Sequence, residues 1–71
     1  MHQMLDRKLK TMDWIQKESL KQIRQKPRKT KELQDSLNLD YNNLYTRLKR
    51  LEEKGLIEME IENRKAIWRQ A

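Results

Sequence analysis

The chain has 71 residues, enough for one domain with a small core and too few for a buried catalytic cleft lined by several polar groups. It has no cysteine, and its single histidine is His2, so disulfides, thiolate metal sites and histidine acid–base chemistry are excluded; neither a metal nor a cofactor is expected. Seventeen Lys and Arg against eleven Asp and Glu give a net charge of +6, and that excess is unevenly placed.

Residues 21–31 hold Lys21, Arg24, Lys26, Arg28, Lys29 and Lys31 without one acid, and Arg47, Lys49, Arg50 and Lys54 form a second basic group against Glu52 and Glu53. Clustered positive charge on a small domain is the footprint of a polyanion binder. The bland alternative is a solvated basic face that only confers solubility. No apolar run approaches the ~18 residues of a membrane span and nothing resembles a signal peptide, so the expected setting is cytoplasmic or nuclear.

Residues 1–11 read as an N-terminal arm or helix extension, with Leu5, Leu9 and Met12 at helical spacing. A first helix is expected from about 12 to 25, with Thr11 able to cap it and Asp13 in its first turn. Ile15, Ser19 or Leu20, and Ile23 face inward; Trp14 is either core or the place where residues 1–10 dock. The 1–20 region is also the expected seam of a homodimer, through Leu5, Leu9, Met12 and Trp14.

Lys26-Pro27-Arg28-Lys29 ends that helix, because proline lacks a donor and restricts the residue before it. Thr30 is read as the cap of a short helix, roughly 31–37, with Glu32 in its first turn and Leu33 and Leu37 inward. Asn38-Leu39-Asp40 forms a tight turn, with Asn38 suited to a left-handed conformation. Asp40 then caps a third helix over 41–54, in which Leu44, Leu48 and Leu51 line one face and Gly55 is the stop. Opposite the leucines lie Asn42, Asn43, Thr46, Lys49 and Arg50. Asn and Arg can pair with adenine and guanine edges, which makes this helix a candidate reader of nucleic acid.

After Gly55 the period becomes two. Ile57, Met59 and Ile61 alternate with Glu58, Glu60 and Glu62, and Ala66 and Trp68 alternate with Lys65, Ile67 and Arg69. The expectation is a hairpin turning at Glu62-Asn63-Arg64-Lys65, with Asn63 at positive φ, Glu58 opposite Arg69, and Met59 and Trp68 packed on the helices.

The stretches Lys26-Pro27-Arg28-Lys29-Thr30-Lys31-Glu32-Leu33 and Leu44-Tyr45-Thr46-Arg47-Leu48-Lys49-Arg50-Leu51-Glu52-Glu53-Lys54-Gly55-Leu56-Ile57, in an order helix, helix-turn-helix, hairpin, resemble a winged helix-turn-helix DNA-binding domain over about residues 12–70. The second stretch is similar to the recognition helix and start of the wing in MarR-like and ArsR-like regulators. The chain departs from many dimeric relatives in having no helix after the wing. The resemblance implies a mostly α domain over 12–71, three helices plus a two-stranded wing, that binds double-stranded DNA and is not an enzyme.

It also implies roles. Helix 41–54 would enter the major groove with its N-terminal half. Asn42, Asn43 and Thr46 would face base edges beside Tyr41, and Arg50 would reach a guanine or a phosphate. Tyr45 and Arg47 would flank them on the backbone. Thr30 and Lys31, with Arg28 and Lys29, would hold a phosphate at the second helix's start. Asn63, Arg64 and Lys65 would lie in or beside the minor groove. The competing readings are an extended cap for Asn42 and Asn43, a packing role for Tyr45, a protein-interaction domain, and a DNA-architectural factor in replication, excision or partition.

Overall fold

The computed structural model of the protein describes residues 12–71. Among them the order is α1 (Trp14–Gln25), β1 (Arg28–Lys29), α2 (Thr30–Leu37), α3 (Tyr41–Glu53), β2 (Ile57–Glu62) and β3 (Lys65–Gln70). The expected three helices and hairpin are present in the expected order. The arm at 1–11 and the dimer seam through Leu5 and Leu9 lie outside the described residues.

α1 starts two residues later than its apolar spacing suggests. Asp13 is its N-cap, not a first-turn residue: Asp13 Oδ1 accepts from Gln16 N–H at 2.9 Å, and Gln16 Oε1 accepts from Asp13 N–H at 3.1 Å. This reciprocal box satisfies two backbone donors, and Thr11, the other cap candidate, lies outside the described residues. Ile15, Ser19, Leu20 and Ile23 are all buried, whereas Trp14 is 62% exposed and is not a core residue.

α2 begins at Thr30 itself, one residue earlier than expected. The residue outside it is Lys29, whose N–H donates to Glu32 Oε1 at 3.0 Å. α2 ends on Asn38 at φ 56 and ψ 52, the left-handed corner anticipated from the amide side chain. Asp40 caps α3 by accepting from Asn43 N–H at 3.2 Å. Leu44, Leu48 and Leu51, at spacings of four and three, are completely buried.

α3 closes with two reversed bonds, Gly55 N–H to Glu52 O at 2.9 Å and Leu56 N–H to Leu51 O at 3.1 Å. That pairing requires positive φ at the first residue after the cap, and Gly55 sits at φ 76.

The wing differs from expectation in one respect: the sheet has three strands, in the order β1-β3-β2. Arg28 pairs with Trp68 and Lys29 with Ile67, so the two residues between Pro27 and α2 complete the sheet on its other edge. Two residues are too few to register as an alternation of apolar and polar side chains. β2 and β3 pair in the anticipated register, Glu58 opposite Arg69 and Glu62 opposite Lys65. Arg69 nevertheless forms its ion pair diagonally, Nη2 to Glu60 Oε2 at 2.9 Å. The turn holds both Asn63 (φ 52) and Arg64 (φ 64) in the left-handed region, the backbone of a two-residue hairpin turn whose twist matches its strands.

Trp68 is the largest fully buried side chain and belongs to a single core cluster with Met12, Ile15, Leu20, Ile23, Leu33, Leu44, Leu48, Leu51 and Ile57. Gly55→Ala should cost about 1–2 kcal/mol from left-handed strain. No atom outside its chain neighbours lies within 4 Å of the added methyl, so strain is the whole effect. Urea denaturation measures it, and an unchanged midpoint would refute the assignment.

Candidate nucleic-acid interface

α3 is held on both flanks. On one, Tyr45 meets Trp68 edge-on at 6.0 Å between ring centroids, and Tyr41 stacks on Tyr45 at 5.3 Å. The packing role weighed for Tyr45 is therefore real, and the aromatic ladder runs from the core to the half-exposed Tyr41 ring. On the other flank Arg47 reaches α1: its Nε donates to Asp13 Oδ2 at 2.6 Å. Arg47 Nη1 also donates to Asn43 O at 3.0 Å and to Asn43 Oδ1.

Burial pushes the Asp13 carboxyl up, but the Gln16 N–H, the Arg47 hydrogen bond and the Arg47 charge together outweigh it and hold the carboxyl below its ordinary value. Arg47 is thus an interhelix tie, and the backbone-contact role expected of it competes with an internal carboxylate. Asp13 is the participant in this tie that the sequence alone does not announce. Its spacing announced a helix start, while its partner lies 34 residues away.

Between these flanks the stripe of Asn42, Thr46 and Arg50 is exposed. Thr46 Oγ1 donates to Asn42 O at 2.8 Å, which uses its proton internally and leaves its lone pairs and methyl for a ligand. Lys49, on the same outer face, is paired with Glu52, whose hydrogen bond raises the ammonium above its ordinary value.

Beside Tyr41 a groove of about 530 Å³ separates the start of α2 from the wing turn. Lys29, Lys31, Tyr41, Arg64 and Lys65 line it, so the basic residues expected at the second helix and at the wing tip converge on one depression. Asn63, Arg64 and Lys65 are exposed at the turn. Glu32 and Asp35 also reach this groove and moderate its positive potential.

Two of the expected phosphate ligands are otherwise engaged. Arg28 turns back on α1, its Nε donating to Gln22 O at 3.1 Å and its Nη2 to Gln25 Oε1 at 3.0 Å. It therefore satisfies the carboxyl end of α1, where a cation opposes the helix dipole. Thr30 is buried beneath the groove, and its Oγ1 accepts from Trp68 Nε1 at 2.8 Å and bonds Ala66 O at 3.5 Å. A hydroxyl so engaged is a structural strut.

Among the described residues no group of three or more His, Cys, Asp or Glu could hold a metal ion, and no helix is long and apolar enough to cross a membrane.

The family described as winged helix-turn-helix DNA-binding matches residues 20–58, from the second half of α1 through the start of β2, more than half of the chain. The chain belongs to that family. The solved structure of reduced HlyU from Vibrio cholerae matches this winged helix-turn-helix domain over 100% of the chain and 82% of its own, with a TM-score of 0.82 and 19% identity, a likeness of fold. No curated protein sequence matches the chain at a significant level. DNA binding is thus a property of the family to which the described helices and wing belong.

Thr30→Val should lower stability by about 1–3 kcal/mol, because it leaves the buried Trp68 N–H without an acceptor. Thr30→Ser keeps the oxygen and should lose distinctly less. A larger loss in chemical denaturation for Thr30→Ser than for Thr30→Val would show that the methyl, and not the hydroxyl, matters.

Proposed function

We propose that this domain binds double-stranded DNA sequence-specifically and acts as a small transcriptional regulator. In this reading α3 enters the major groove and the Asn63–Lys65 turn lies on the backbone or in the minor groove. The observation that carries it is the exposed stripe of Asn42, Thr46 and Arg50 on a rigidly held helix, flanked by a basic groove.

The chemistry divides as protein–DNA interfaces usually do. Lys29, Lys31, Arg64 and Lys65 neutralise phosphates and provide affinity without sequence choice. Asn42 makes no side-chain hydrogen bond among the described residues, so both its donor and its acceptor are available for an adenine edge. Thr46 offers its methyl to a thymine methyl, and Arg50 reaches either a guanine or a phosphate. Arg28, Thr30 and Arg47 support the surface from behind, and Tyr45 holds its flank.

Selection from random duplexes at physiological salt tests the reading, with an enriched motif as the expected outcome. Binding without enrichment would indicate an architectural factor instead. On the enriched site Asn42→Ala should cost roughly 1–3 kcal/mol and relax preference at one base pair. Arg64→Ala should weaken binding to every duplex and reduce the slope of log affinity against log salt by about one. If neither change altered binding to any duplex, the docking mode would be wrong.

A further inference from the structure

Asn43 is pinned at three atoms. Its N–H donates to Asp40 Oδ2 at 3.2 Å, its backbone oxygen accepts from Arg47 Nη1 at 3.0 Å, and its side-chain Oδ1 accepts from the same Nη1. A guanidinium has donors and no acceptor, so only the amide oxygen can face it. The orientation of the Asn43 amide is thereby chosen by chemistry: Oδ1 turns inward and the NH₂ turns away from Arg47.

Arg47 is placed in turn by Asp13. The two carboxylate oxygens divide their work, Oδ1 capping α1 through Gln16 N–H at 2.9 Å and Oδ2 taking Arg47 Nε at 2.6 Å. Asp13 lies outside α3 and is tied to the first turn of α1, so the guanidinium is referenced to the helix framework and not to its own flexible stem. The Arg47 side chain is 27% exposed and that of Asp13 40%, which leaves the pair partly screened but not free.

We propose that Asp13 is a positioning residue for base recognition, acting through Arg47 to present the Asn43 amide to DNA as a donor. The inference rests on the proposed docking of α3 in the major groove. A free asparagine pairs with adenine by giving one hydrogen bond and receiving another. Asn43, with Oδ1 held by Arg47, is biased toward giving only. It therefore favours a base that offers an acceptor in the major groove without requiring an answering donor, guanine or thymine, and it disfavours cytosine, whose edge offers a donor amine. Two neighbouring asparagines thus read differently: Asn42 in both senses, Asn43 in one.

The test is competition binding of the full chain to its selected duplex and to the three single-base-pair variants at each position, with the wild type, Asp13→Asn, Asn43→Ala and the double variant. Asparagine is itself a good N-cap, so Asp13→Asn keeps the α1 start while removing the charge that orders Arg47. The expected result is a roughly two- to tenfold loss of preference, the worth of one hydrogen bond, at the base pair that Asn43→Ala also relaxes, with affinity for random duplex nearly unchanged. Asp13→Asn should add nothing in the Asn43→Ala background, because the two act as one unit. Arg47→Met leaves the cap intact, removes every donor facing Asn43 Oδ1 and should relax the same base pair, which keeps the test decisive should Asp13→Asn unfold.

Three results would overturn the proposal. One is an unchanged preference in Asp13→Asn. Another is a uniform gain in affinity for all duplexes with a steeper salt slope, which would mean that Asp13 only withholds Arg47 from phosphate. The third is a relaxation that is additive with Asn43→Ala. A wild type with no sequence preference would remove the proposed function and this inference together, whereas the first three results leave that function standing.

Discussion

The indole of Trp68 is the contact on which the rest of the domain depends. It lies on β3, the central strand, so it is bonded on one side to β1 and on the other to β2. Its ring fills the core between the helices, and its N–H ends on Thr30 at the start of α2. A domain of this size has on the order of 3–5 kcal/mol of net stability, and a two-stranded hairpin alone has essentially none. The wing is anchored because one aromatic residue joins it to the core of the three described helices, and because its single polar atom is satisfied there and not left buried and empty.

That anchoring also sets what the wing can do. β2 carries Glu58, Glu60 and Glu62 on the sheet face away from the core, a row that would repel phosphate if it were turned toward DNA. Arg69 takes Glu60, and Lys65 stands opposite Glu62 in the register. Arg64, Lys65 and Arg69 only balance the three glutamates in number, and Arg64 stands at the turn, beyond the last paired residues. Charge is therefore concentrated where the backbone reverses, next to the α2 start and Tyr41. The acidic strand makes the approach directional: a polyanion meets the turn and groove favourably and the β2 face unfavourably.

The helices were legible because they are announced by local rules. Asp40, Asn38 and Gly55 each occupy the cap or corner that their side chains favour, and the leucines of α3 repeat with the helix period. The hairpin was legible from its period of two. What sequence could not show was every feature decided between distant segments. β1 has two residues, and its strand character exists only because β3 is beside it. Thr30 carries the hydroxyl of a good helix cap, yet Trp68, 38 positions away, claims it. Arg28 and Arg47 read as surface cations in a basic stretch, and only tertiary structure supplies the Gln22 carbonyl and the Asp13 carboxylate that employ them. Composition marked a basic region while overstating how many of its basic residues face outward.

The two flanks of α3 are fastened by different physics, and the difference matters for reading. The Tyr41–Tyr45–Trp68 ladder is apolar contact, insensitive to salt and tolerant of small shifts in ring position. The Asp13–Arg47–Asn43 chain is charge-assisted and directional, so it fixes the orientation of an amide and not merely the position of a helix. A helix fastened by aromatics alone would be correctly docked but free to rotate its polar side chains. One fastened by ion pairs alone would be weakened by the same ionic strength that weakens phosphate contacts. With the aromatic tie toward the wing and the ionic tie toward α1, the stripe between them is held in place by one and held in orientation, at its Asn43 edge, by the other. Recognition of a base edge requires both, because a hydrogen bond misdirected by a few tens of degrees loses most of its discrimination. The domain thus places its most directional internal contacts beside the side chains proposed to read base edges.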